Sequence, residues 1–176
     1  MAKKLNTLGV VFMALAAVGL ILTIIGMCTG VVSATFAGET DSTTLFDEYW
    51  STLEQYGPYA EALGITVPSR TFPIIAFVVA LIGALIVLVH GILGMIGKDI
   101  KIIGLVGGAV AIVGGILVVV AGFILAGQFN DVMVQLAGMK GLDATAGIGV
   151  WIGAIGAILA GVAGILGALK VGQKAE

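Results

Sequence analysis

The residue best placed to do chemistry in this sequence is its single histidine, His90, which lies inside a long apolar run. An ionisable side chain in such a run is a candidate for proton transfer or metal ligation. No carboxylate or second histidine stands near it in sequence to assist either reaction. The simpler interpretation is a neutral imidazole that bonds a backbone carbonyl or interfacial water. Both interpretations of this possible intramembrane polar site stay open.

A second set of chemically capable residues lies between positions 33 and 71. The set consists of six carboxylates, with only Arg70 to compensate them: Glu39, Asp41, Asp47, Glu48, Glu54 and Glu61. Carboxylates are ligands that Ca²⁺ prefers, but these do not follow the spacing of an EF-hand loop. We therefore expect a solvated acidic loop rather than a calcium site.

Other signatures of catalysis are missing from the sequence. There is no Ser, His and Asp set and no pair of carboxylates within an apolar run, and the GxGxxG-like glycine strings lack the strand-to-helix context of a phosphate loop. Cys28 is the only cysteine, which excludes an intrachain disulfide, and we expect it to be a small buried residue. The sequence predicts a protein that is not an enzyme and needs no cofactor or metal.

The composition of the chain is typical of an integral membrane protein. Hydrophobic residues make up 60% of it and charged residues 10%, with a mean hydropathy of +1.20. In a soluble domain roughly half of the residues are apolar and roughly a quarter are charged. A helix needs about 20 residues to cross a bilayer, and four uncharged apolar runs reach that length, at about 8–32, 72–96, 102–126 and 147–169. The first run is longer than the core of a signal peptide. We predict an all-α integral membrane protein whose single domain is a four-span transmembrane helix bundle.

The basic residues predict how the spans are oriented. Six of them flank one side of the predicted spans, namely Lys3, Lys4, Lys98, Lys101, Lys170 and Lys174. Only Arg70 and Lys140 flank the other side. Since basic residues are retained in the cytoplasm, we predict a multi-pass protein of the cell membrane with both termini inside and with outer loops at 33–71 and 127–146. Scattered basic residues and a net charge of -2 also argue against a nucleic-acid partner.

The larger first outer loop carries an amphipathic pattern. Apolar side chains recur at helical spacing between Thr44 and Tyr56, which predicts a short helix that Gly57 and Pro58 end. A second short helix is predicted around 59–63. The apolar stripe covers the chain's own bundle, lies at the membrane interface or docks a partner. The residues proposed for partner contact are Phe46, Tyr49, Trp50, Leu53 and Tyr56.

Glycines recur along single faces of the predicted spans. Helix contacts are predicted at Gly104, Gly108, Gly115, Gly149, Gly153, Gly161 and Gly164, because helix association in lipid depends on the close approach that small residues permit. Two such faces run along the fourth span, so that one could meet a neighbouring copy or both could pack within the chain. The short connection at 97–101 predicts an antiparallel hairpin in which Gly91, Gly94 and Gly97 face the region of Gly104 to Gly108.

The four spans, inside termini and larger first outer loop resemble the claudin type of tetraspan protein in topology. The outer-loop signature of that family, a tryptophan followed by Gly-Leu-Trp and two cysteines, does not occur. Trp50 is followed by Ser51, Thr52 and Leu53, and the loop has no cysteine. We therefore transfer no junction or ion-barrier function.

The predicted role is interaction rather than chemistry. We expect a scaffold, an accessory subunit or a self-assembling envelope component that contacts the lipid bilayer and forms a homo-oligomer or a larger membrane-protein complex. The alternative is a small channel or transporter subunit that functions only as an oligomer. The spans offer such a pore only Thr23, Thr29 and His90.

Overall fold

The computed structural model describes residues 7–96, 98 and 100–170, and 72% of it is helical. The elements in chain order are α1 (Thr7–Cys28), β1 (Val32–Phe36), β2 (Glu39–Thr43), α2 (Tyr49–Gln55), α3 (Gly57–Ala62), α4 (Thr71–Met95), α5 (Lys101–Gln135), β3 (Asp143–Ala146) and α6 (Ile148–Lys170). The helices α1, α4, α5 and α6 are long and apolar enough to cross a membrane. The prediction of four such helices is confirmed.

The four long helices form a bundle in which α6 is the most enclosed. Helix α5 packs on α4 and α6, helix α1 packs on the same two helices, and α4 and α6 also touch each other. Small residues let the backbones approach. A Cβ atom on Gly19 of α1 would lie 2.8 Å from the backbone nitrogen of Ala160 in α6, so no side chain fits there.

The outward faces of the four long helices are apolar along their length. The large exposed side chains on them are valine, isoleucine, leucine, phenylalanine and tryptophan, from Val11 on α1 to Leu169 on α6. In hydrocarbon a helix satisfies its own backbone hydrogen bonds, so such faces need no further partner there. Lipid is the solvent that suits this surface.

A three-stranded antiparallel sheet closes one end of the bundle, with the strand order β2-β1-β3. Strands β1 and β2 form a hairpin in register from Val32↔Thr43 to Phe36↔Glu39. On its other edge β1 pairs with β3 from Val32↔Ala146 to Thr35↔Asp143. We call residues 29–70 and 131–147 the cap, since this sheet ties the two segments together.

The hairpin turn between β1 and β2 consists of Ala37 and Gly38, both with positive φ (54° and 87°). A two-residue turn with positive φ at both positions is the type I′ turn that matches the twist of the flanking strands. Glycine adopts this backbone freely, whereas alanine does so at a cost. Ala37 is therefore a strained position within the described cap.

The cap differs from the sequence predictions in four ways. The all-α prediction omitted the sheet, and the first apolar run ends as a helix at Cys28 rather than at position 32, because Val31 and Val32 are buried in the cap. The amphipathic helix begins at Tyr49 rather than Thr44. Gly57 and Pro58 begin α3 instead of only ending α2, since proline fits the first turn of a helix.

The bundle also departs from prediction at three points. Helix α5 continues to Gln135, which shortens the predicted second loop, and Cys28 is exposed rather than buried. Gly91 faces Met13 of α1 instead of α5, and a Cβ on Gly94 would meet nothing within 4 Å.

The close approach of α4 to α5 lies further along the hairpin, where α4 residues Ala80 and Gly83 meet Gly114 and Ala111 of α5. Gly97, Lys3, Lys4 and Lys174, on which parts of the predicted topology depend, lie outside the described residues.

Candidate functional site: a two-chamber groove on the cap

One side of the cap holds a chamber of about 350 Å³ lined by tyrosines. It lies between the short helices α2 and α3 and the last turns of α5. Its lining comprises Tyr49, Thr52, Leu53, Tyr56, Tyr59, Val132, Met133, Leu136 and Ala137. Tyr49, Leu53 and Tyr56 come together because residues four and seven apart share one face of a helix. Tyr56 is 57% exposed and Tyr59 is 64% exposed, so both rings are open to a ligand. We call this space the tyrosine chamber.

A second chamber of about 490 Å³ lies between the sheet and α5. Glu39 and Asp41 line it from β2, since alternate residues of a strand point to the same face, and Asp47 lines it from the turn before α2. Apolar residues complete the lining, among them Phe36, Phe129, Met133, Met139 and Leu142. We call this space the acidic chamber.

The two chambers are adjacent because Tyr49 and Met133 line both of them. The Tyr49 hydroxyl donates a hydrogen bond to Sδ of Met133 at 3.3 Å, and its ring lies 5.8 Å from that of Phe129, centroid to centroid. Burial raises the pKa of Tyr49 above its ordinary value of 10.0, because the phenolate would lose hydration. Because the two chambers share Tyr49 and Met133, they form one groove whose aromatic and acidic halves meet at Tyr49.

Trp50 holds α2 in place from behind the groove. It is buried, its Nε1 donates a 2.6 Å hydrogen bond to the carbonyl of Thr44, and its ring lies edge-on to Phe129 at 6.2 Å. The backbone nitrogen of Thr44 in turn donates to Oδ2 of Asp47 at 2.6 Å. One short stretch of chain thus positions the buried indole and an acidic-chamber carboxylate together.

Charge separates the cap from the rest of the chain. The cap carries eight carboxylates and two basic residues, Arg70 and Lys140, for a net charge of about -6 at neutral pH. Arg70 is partly engaged, since it lies 3.8 Å from Glu54 and donates to the carbonyl of Leu45 at 3.3 Å. The groove therefore opens in a field that attracts cations.

The five loop residues predicted to contact a partner do not share one surface. Tyr49, Leu53 and Tyr56 line the tyrosine chamber, Trp50 is buried behind it, and Phe46 is 58% exposed but lines neither chamber. Sequence reasoning did not place Tyr59 or Met133 in the site. Tyr59 follows Tyr56 by three residues and could have been added to the stripe, whereas no local pattern links Met133 to it.

The seven glycines predicted at helix contacts all lie buried inside the bundle. Gly108 and Gly115 of α5 face α6, and Gly161 of α6 faces α5 in return. Gly149 faces Gly26 at the end of α1, and Gly153 faces the ring of Phe77 in α4.

The remaining two glycines face α4, since Gly164 meets Val87 and Gly104 meets His90. Both small-residue faces of α6 are thus covered by the chain's own helices, which leaves neither face for a neighbouring copy.

His90 lies near the end of the bundle opposite the cap and is only 4% exposed. It borders a cavity of about 20 Å³ whose lining includes Gly9, Phe12, Gly94 and Gly167. Its Nδ1 is buried and has no hydrogen-bond partner among the described residues, so the predicted bond to a carbonyl is not seen at this atom. Within the described part of the chain no three His, Cys, Asp or Glu side chains are grouped to hold a metal.

Comparison of the chain with protein-family models, with curated protein sequences and with solved structures finds no match in any of the three. The groove on the cap is therefore interpreted from its geometry and charge alone.

Proposed function

We propose that this chain is a four-span membrane protein, with both termini in the cytoplasm, that holds a partner protein at its cap as an accessory subunit or scaffold. The apolar outward faces of α1, α4, α5 and α6 support the membrane placement. The excess of lysine at the helix ends away from the cap supports the orientation, since such residues are retained inside.

The observation that carries the interaction role is the contrast between the helix faces and the cap. The small-residue faces are covered within the bundle, and the outward faces present an apolar surface to lipid. The described surface that combines concave shape, exposed aromatic rings and charge is the groove on the cap. Exposed aromatic residues around a pocket are typical of protein-interaction sites.

The alternative of an oligomeric pore gains no support from the helix surfaces. A pore between copies needs polar groups or carbonyls along an outward face. Within the long helices, the described residues that face outward are apolar except near the helix ends. The interaction role is therefore the preferred proposal.

Orientation is tested by cysteine labelling in a Cys28→Ser background. Glu61→Cys places a thiol on the cap and Lys98→Cys places one at the opposite end. A membrane-impermeant maleimide should label the first variant in intact cells and the second only after permeabilisation. The reverse pattern would overturn the proposed topology.

The interaction role is tested by native mass spectrometry of the protein extracted from the membrane under mild conditions together with its native lipid. We expect a second protein at fixed ratio, retained by the lipid-face variant Ile82→Ala but lost from the groove variant Tyr56→Ala/Tyr59→Ala. A particle that contains this chain alone, or one whose partner is unaffected by the groove variant, would contradict the proposal.

A further inference from the structure

We propose that the groove binds a basic, amphipathic segment of the partner protein, with its apolar side chains in the tyrosine chamber and its lysine or arginine side chains in the acidic chamber. This inference rests on the proposed function and names the chemistry of the partner. One half of the groove is aromatic and the other is acidic, and the two halves meet at Tyr49.

The tyrosine chamber suits apolar and aromatic side chains. Its walls are three tyrosine rings together with Leu53, Val132, Met133 and Leu136, and it contains no carboxylate. The thioether of Met133 adapts to irregular apolar shapes and attracts aromatic rings. At about 350 Å³ the chamber is within the size range of ligand pockets, roughly 300–1,000 Å³.

The acidic chamber suits a cationic head on an apolar stem. Glu39, Asp41 and Asp47 line it beside Phe36, Phe129 and Met139. Lysine and arginine bury their methylene stems along apolar surface while the charged head reaches polar groups. Arginine also stacks on aromatic faces, and Tyr49 and Phe129 line this chamber. Apolar walls with carboxylates at the rim match such a side chain.

A second copy of this chain is a poor occupant of the groove. Its cap carries the same net negative charge, and β2 at the sheet edge presents Glu39 and Asp41, which edge pairing would bring close to the carboxylates of the other copy. Like charges on edge strands prevent edge-to-edge pairing. An acidic or phosphate-rich partner is disfavoured for the same electrostatic reason. A basic segment is the occupant that the charge of the cap favours.

The direct test measures peptide binding to the whole chain in phosphatidylcholine nanodiscs. The probe is a fluorescein-labelled octapeptide with Phe and Leu in one half and three Arg in the other. One control peptide replaces each Arg with Glu, another replaces Phe and Leu with Ser, and empty nanodiscs measure lipid binding. We expect saturable binding of the first peptide only, weakened several-fold by raising the salt from about 0.1 to 1 M, since the Debye length falls from about 10 to 3 Å.

Charge-matched variants assign the two halves of the peptide to the two chambers. Glu39→Gln/Asp41→Asn removes two carboxylates from the acidic chamber, whereas Glu48→Gln/Glu61→Gln removes two from elsewhere on the cap. The first variant should weaken binding roughly 2- to 25-fold, because exposed ion pairs are worth little each. The second should change it less than twofold.

The tyrosine chamber has its own matched pair. Tyr59→Ala removes a chamber ring, and Phe46→Ala removes an exposed ring outside both chambers. Tyr59→Ala should weaken binding of the Phe and Leu peptide at least fivefold, whereas Phe46→Ala should leave it unchanged.

Binding no stronger than to empty nanodiscs, or equal losses from groove and control variants, would overturn this inference. If the peptide does not bind but native mass spectrometry finds a partner that depends on the groove, the proposed function still holds. If neither the peptide nor such a partner is found, both proposals are wrong.

Discussion

The backbones of α5 and α6 approach so closely at Gly108 and Gly161 that neither residue could carry a side chain. A Cβ on Gly108 would lie 2.7 Å from the carbonyl oxygen of Gly161, and a Cβ on Gly161 would lie 2.6 Å from the carbonyl oxygen of Gly108. Because both obstacles are backbone atoms, neither can rotate away. The contact between α5 and α6 therefore requires glycine at both positions.

The first prediction follows from this contact. Gly161→Ala should destabilise the bundle by about 1–3 kcal/mol through overpacking, measured as a fall in the thermal unfolding midpoint in nanodiscs. Gly127→Ala is the matched control on α5, because a Cβ there would meet nothing within 4 Å. It should be neutral or raise stability by up to about 1 kcal/mol, since alanine favours a helix interior over glycine. Equal effects at both positions would contradict the packing described.

The two tryptophans should differ sharply in their tolerance of phenylalanine. Trp50→Phe removes the hydrogen bond to the Thr44 carbonyl and shrinks a buried ring, which should cost about 1–3 kcal/mol. Trp151→Phe changes a ring that is 44% exposed and should cost less than about 1 kcal/mol. Chemical denaturation of the two variants compares them directly. A Trp50→Phe variant as stable as Trp151→Phe would show that the indole nitrogen does not help to hold the cap.

The hairpin turn offers a stabilising change. Asparagine is accepted at positive φ in a type I′ turn, so Ala37→Asn should stabilise the β1–β2 hairpin by about 0.5–1 kcal/mol. Ala37→Val should destabilise it, because a β-branched residue fits this backbone poorly. Hydrogen exchange of the β1 amides reports both effects locally. Slower exchange in the valine variant than in the asparagine variant would refute the turn assignment.

Tyr49 should make the cap sensitive to alkali. Burial raises its pKa above 10.0, so the folded chain holds the phenol proton more tightly than the unfolded chain does. The stability that Tyr49 contributes is therefore fully present below about pH 10 and is lost as the pH rises through the folded-state pKa. Tyr49→Phe should lessen this loss in alkaline unfolding curves and remove a late phase from the tyrosinate absorbance titration. An absorbance titration that Tyr49→Phe changes only below pH 10 would contradict the raised pKa.

His90 should be replaceable by an apolar residue of similar size. Its buried Nδ1 lacks a partner among the described residues, and a water needs about 2–4 polar neighbours, while the other described residues that line the adjacent cavity are glycine, alanine, valine and phenylalanine. His90→Leu should raise stability by about 1 kcal/mol, because it removes an unsatisfied polar group. A loss of stability in thermal unfolding would contradict this prediction.

The long helices were predictable because their signal is local. Uncharged runs of sufficient length mark α1, α4, α5 and α6, and only their ends were displaced. The third span was predicted to end at about position 126, before the polar residues Gln128, Asn130 and Asp131. The helix continues because Phe129, Val132 and Met133 are buried in the hydrophobic core with cap residues such as Trp50.

The sheet and the groove were not predictable by the same reasoning. Strand β2, with the sequence ETDST, has four exposed residues and no apolar alternation, so its structure comes from pairing with β1. The groove brings β2, α2 and the end of α5 together, and no periodicity within one segment encodes such a meeting. The acidic and aromatic residues were visible in the sequence, but the shared position of Tyr49 and Met133 was not.

The pairing of Val32 with Ala146 joins segments that are synthesised at different times. Translation proceeds at roughly 5–20 residues per second, so β1 leaves the ribosome on the order of ten seconds before β3 exists. During that interval β1 has only β2 beside it, and its second edge is open. In the complete chain β3 occupies that edge. The three-stranded sheet is therefore completed only after the whole of α5 has been made, and a nascent chain arrested after α5 would leave the second edge of β1 open.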